Sequence, residues 1–193
     1  MGSLFSTYLQ LGFHHILDPQ AYDHILFVVV LCAAFRPTDW RRLTILVTAF
    51  TLGHSITLAL ATLDVITFPA RLIELLIPIT ILITVAHNIY YSQRETSRLG
   101  SSYALAAGFG LIHGMGFSNF LKASLFPGQE QDLVYQLLAF NLGVELGQLC
   151  IVAAFLLLSW LVLRRLEHSS WNLIVSAGVG LLATYLLIAQ VAG

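Results

Sequence analysis

Apolar stretches of near membrane-crossing length follow one another along the chain, and short segments holding most of the arginines part them. A helix needs about 20 apolar residues to cross a bilayer. Six segments fit: Ala21–Phe35, Trp40–Ala61, Pro69–Tyr91, Ser102–Leu121, Leu133–Leu163 and Trp171–Val191. The first is short and is extended upstream by Pro19–Gln20; the fifth is long enough to tilt or protrude. No period-two alternation of the barrel kind runs through them, so helices are predicted. Ahead of the first span, Leu4, Phe5, Tyr8, Leu9, Phe13, Ile16 and Leu17 leave a polar face at Ser3, Ser6, Thr7 and Gln10. That pattern predicts an interfacial helix lying on the outer surface. The expected fold is all-α: a polytopic membrane helix bundle of about six transmembrane helices plus an N-terminal interfacial helix. It forms a single integral membrane domain over residues 1–193, with 1–19 interfacial and 20–191 in the bundle.

Composition agrees. The chain is 58% hydrophobic and 10% charged, with a mean hydropathy of +0.83, whereas soluble domains carry about a quarter charged residues. The net charge of −1 and the lack of a Lys/Arg cluster exclude nucleic acid as a partner and leave the lipid bilayer. Arg36, Arg41, Arg42, Arg94, Arg98, Arg164 and Arg165 fall between alternate spans, against Arg71 and Lys122 on the other side. This bias predicts a multi-pass inner-membrane protein with both termini outside the cytoplasm. The N-terminus lacks a basic region and a small-residue cleavage site, so no cleaved signal peptide is expected. Cys32 and Cys150 sit singly in apolar spans and read as packing residues.

The chemistry lies in the ionisable residues inside the spans. Such groups are expensive in hydrocarbon and mark pathways or sites. At ~1.5 Å per residue, Asp23 and His24 lie ~5 Å, Glu74 ~7 Å and both His54 and His113 ~12 Å below the outer boundary. Asn141 falls near the last level and Glu145 ~6 Å deeper. Residues of five helices thus converge in the outer half. Thr44, Thr48, Thr51 and Ser55 form one stripe on the second span, and Asn141, Glu145 and Gln148 another on the fifth. Gly110 with Gly114, and Gly143 with Gly147, are small pairs that let helices approach. The glycines at 108, 110, 114 and 116 also predict a broken fourth span.

Imidazole and carboxylate together bind divalent first-row metals. The candidate ligands are His15, Asp23, His24, His54, Glu74, His113 and Glu145, with Ser55, Asn141 and Gln148 as outer or transient partners. Blander roles stay open: Glu74 pairing with Arg71, or His54 and His113 making structural hydrogen bonds between helices. His87–Asn88 reads equally as an exit-side ligand or an interface pair.

The motifs that carry these residues resemble the HupE/UreJ family of hydrogenase and urease accessory membrane proteins, regarded as nickel permeases. They are His15–Ile16–Leu17, Asp23–His24–Ile25–Leu26–Phe27, Phe50 to Leu58 around Gly53–His54–Ser55, Glu74 and Asn88, Gly110 to Phe117 around His113, and Phe140 to Gln148 around Asn141 and Glu145. The resemblance runs from residue 12 to about residue 190 and implies a compact, roughly six-helix permease. It assigns Ni²⁺ handling to His15, Asp23, His24, His54, His113 and Glu145.

The leading expectation is a secondary permease for a divalent transition metal, nickel foremost, with the ion as transported substrate. The alternative is an intramembrane hydrolase in which zinc held by the His/acid groups activates water, with Glu145 or Glu74 as general base. Ser55 beside His54 as a nucleophile is a weaker variant, because neighbouring helical residues point about 100° apart. A purely structural accessory subunit is the third, and a homo-oligomer is compatible with each.

Overall fold

A computed structural model of the chain describes residues 2–19, 22–91, 99–118, 121 and 132–192. Among these the regular elements are helical: α1 (Gly2–Leu17), α2 (Tyr22–Ala33), α3 (Trp40–Thr62), α4 (Ala70–Tyr91), α5 (Leu99–Gly116), α6 (Leu133–Val162) and α7 (His168–Ala192), with a 3₁₀ turn at Pro37–Asp39. Helices α3 (with the turn before it), α4, α6 and α7 are long and apolar enough to cross a membrane, and α1 and α2 together make a fifth, bent candidate. The six-span count is therefore loose. Arg94, Arg98 and Lys122 lie outside the described residues.

Pro19 explains the break. A residue before proline is pushed out of the helical region, so α1 stops at Leu17 ahead of Asp18. Tyr22 then opens α2, with Asp23 in its first turn where the helix dipole favours an acid. The segments Leu4–Leu17 and Tyr22–Ala33 meet at 70°. The broken element is thus the first span, not the glycine-rich fourth. The described length of α5 is one continuous helix.

The glycines set helix spacing instead. A Cβ at Gly110 would collide with the Phe50 carbonyl, and one at Gly114 with the His54 carbonyl, so α5 lies directly on α3. A Cβ at Gly12 would meet the Phe140 carbonyl, and one at Gly143 the Leu9 carbonyl, so α1 lies as closely on α6. The N-terminal helix therefore spends its apolar face on protein. Tyr8 and Ile16 are buried against α6 while Ser6, Thr7 and Gln10 stay exposed. On the opposite flank, Asn172, Ser176, Val179 and Ala183 form the narrow buried face of α7. Its Leu181, Leu182, Tyr185 and Ile188 face outward, as lipid contact requires.

Polar side chains tie the helices where apolar packing gains little against lipid. The Asn88 amide donates to the Val30 carbonyl at 2.6 Å, and Asn172 donates to the Asn88 carbonyl at 3.4 Å, joining α2, α4 and α7. Asn88 is thus an interface residue, and His87, half-buried beside Tyr91, does not point into the His cluster. Arg36, Arg164 and Arg165 line one hollow, so the loops after α2 and α6 share an end of the bundle.

Candidate metal centre

The break between α1 and α2 builds the centre. In one continuous helix, residues nine apart stand about 13 Å apart along the axis. Here the bend folds His15 back until its ring lies 4.8 Å from that of His24. The close α3–α5 packing supplies the other wall: the His24 ring is 6.3 Å from His54 and 5.2 Å from His113. His54, His113 and His24 are 0%, 1% and 4% exposed. Phe50 stacks near His54 at 6.2 Å, and Phe117 covers His15 at 3.7 Å.

Two donor sets result. One atom from each of His15, His24 and His54 lies within 4.8 Å of the others, and the same holds for Asp23, His24 and His113. His24 belongs to both.

Hydrogen-bond directions decide which nitrogen of each ring is free. The Asp23 carboxylate faces His24 Nδ1 at 3.1 Å and can only accept, so Nδ1 carries the proton. Thr80 gives its own hydroxyl proton to the Ile77 carbonyl at 2.7 Å, so at 3.1 Å it accepts from His113 Nε2. The Asn141 amide donates to the Leu137 carbonyl at 2.8 Å, leaving its oxygen to accept from His54 Nδ1 at 3.4 Å. The remaining nitrogens, His24 Nε2, His54 Nε2 and His113 Nδ1, then hold lone pairs. All three are buried without a partner among the described residues, as is His15 Nε2. An orphaned buried polar atom costs about 1–3 kcal/mol. Four of them in one cluster make sense as ligands, with outer partners fixing the tautomers as they do in metal sites.

A cavity of about 330 Å³ reaches this cluster from the end of the bundle that carries the α3–α4 loop. His15, Asp23, His24 and His113 form part of its wall, with Tyr22, Thr67 and Glu74 among its other lining residues. Glu74 is exposed and belongs to neither donor set. Pro78, one turn on and also at the cavity wall, has no N–H to offer the Glu74 carbonyl.

Glu145 also lies outside both sets. Its carboxylate accepts from Thr48 at 2.6 Å, and Gln148 accepts from Thr51 at 2.8 Å. With His54–Asn141 these pairs form a polar seam between α3 and α6, the two stripes of the sequence facing each other. Ser55 is spent on its own helix, donating to the Thr51 carbonyl at 2.6 Å. His14 is exposed. The residue that sequence reasoning passed over is Thr80. Threonine within an apolar span gives no signal of its own, although its one-turn spacing from Thr84 puts the two on one buried face of α4.

The family model described as HupE / UreJ protein matches residues 1–191. Comparison with curated proteins and with solved structures finds no match.

Proposed function

The chain belongs to the HupE/UreJ family, associated with nickel and cobalt transport or accessory function, and on that premise we propose that it is a permease for a divalent transition-metal ion, nickel foremost. The observation that carries this reading is the set of four buried, unpartnered imidazole nitrogens, three on residues that line the cavity and the fourth on His54 behind them. The cation enters the cavity past Glu74, sheds water at Asp23 and the histidines, and leaves along the α3–α6 seam. Three neutral imidazoles suit nickel, cobalt, zinc or copper far better than magnesium or calcium. Both termini face away from the cytoplasm, so the cavity opens outward and the arginine-lined end faces in.

The hydrolase alternative is less well supported. Its general base would have to stand at the metal, whereas Glu145 is bonded to Thr48 and Glu74 belongs to neither donor set. The test is uptake into proteoliposomes that hold a nickel-sensitive dye. Wild-type protein is expected to admit Ni²⁺ and His54→Ala to admit none. Equal uptake by the two would remove the histidine cluster from the pathway.

A further inference from the structure

We propose that the cluster holds a single cation that alternates between two positions, with His24 as the pivot. This rests on the cation reading above and adds the order of ligand exchange to it.

The two donor sets share one residue, His24. A neutral imidazole has only one lone pair, whichever nitrogen carries the proton. His24 therefore serves one cation at a time, and neither set is complete without it. Two dications would also repel each other four times as strongly as two unit charges across this short span. Occupancy of one set excludes the other.

The sets differ in place and chemistry. Asp23, His24 and His113 all line the cavity, and the first brings a carboxylate. This is the position for an arriving, partly hydrated ion, which any oxygen-seeking dication can visit. His15, His24 and His54 offer imidazole alone; His15 and His24 also line the cavity, whereas His54 is fully buried and does not. This position rewards a cation that prefers nitrogen and penalises magnesium or calcium. It is also the one in contact with the seam, through His54 and Asn141. The transfer exchanges Asp23 and His113 for His15 and His54, with His24 common to both sets. Selectivity then resides in the second position and capture in the first.

Cobalt(II) titration of the purified full chain in detergent, read by visible absorption and by metal content, tests this. Wild type is expected to bind one Co²⁺ per chain. His54→Gln and His113→Gln should each still bind one, more weakly, with spectra that differ from each other. The wild-type spectrum should be a weighted sum of those two. His24→Gln should lose binding across the titration range while keeping its helical circular dichroism; His24→Asn replaces it if the first variant unfolds. Two Co²⁺ per wild-type chain would overturn the pivot, and that arm needs no variant. Equal weakening by all three His variants would overturn it too, pointing to one joint site. No Co²⁺ bound by wild type would instead reject the cation reading beneath it.

Discussion

The Thr80 hydroxyl stands 3.1 Å from His113 Nε2 and has already given its proton to the Ile77 carbonyl, so it holds His113 with a lone pair on Nδ1. Removing the hydroxyl frees the ring to choose its other tautomer. Loss of such an outer partner typically weakens metal binding about 10- to 100-fold. Thr80→Val is expected to weaken Ni²⁺ binding in that range by isothermal titration, while Thr80→Ser, which keeps the hydroxyl, stays near wild type. Wild-type affinity in Thr80→Val would show that His113 needs no such support.

Glu145 separates binding from passage. It lies on the seam, bonded to Thr48, and outside both donor sets. Glu145→Gln is therefore expected to leave equilibrium Ni²⁺ stoichiometry unchanged and to slow uptake about tenfold, equivalent to about 1.4 kcal/mol of barrier. If binding were lost instead, the carboxylate would have to reach the cluster.

Gly110 tests the packing that sets His113 beside α3. Any Cβ there meets the Phe50 carbonyl, whereas Gly108 has open space. Overpacking of this kind costs about 1–3 kcal/mol. Gly110→Val should lower the thermal midpoint in detergent and weaken Ni²⁺ binding together, and Gly108→Ala should change neither.

Much of the centre was legible because hydrocarbon makes ionisable groups conspicuous. His24, His54 and His113 stood out for that reason, and depth arithmetic placed them at neighbouring levels. The polar stripes on α3 and α6 were read correctly because each repeats with the helical period. The bend was not foreseen. Depth counting treats each span as straight, and the glycines of α5 looked like the weaker helix, although Pro19 held the stronger breaking signal. An amphipathic pattern shows that α1 has one buried face, but not whether lipid or α6 covers it. Only Gly12 and Gly143, facing each other's helix backbones, settle that. Glu74 and Glu145 drew notice for their charge, yet charge alone does not fix direction within a helix bundle.

The most direct test is metal content by mass spectrometry on the purified protein after loading with Ni²⁺ and dialysis, wild type against His24→Ala. The account predicts stoichiometric nickel on the wild type and none on the variant, because His24 completes both donor sets. Nickel retained equally by both, or bound by neither, would contradict a histidine-held cation in this protein.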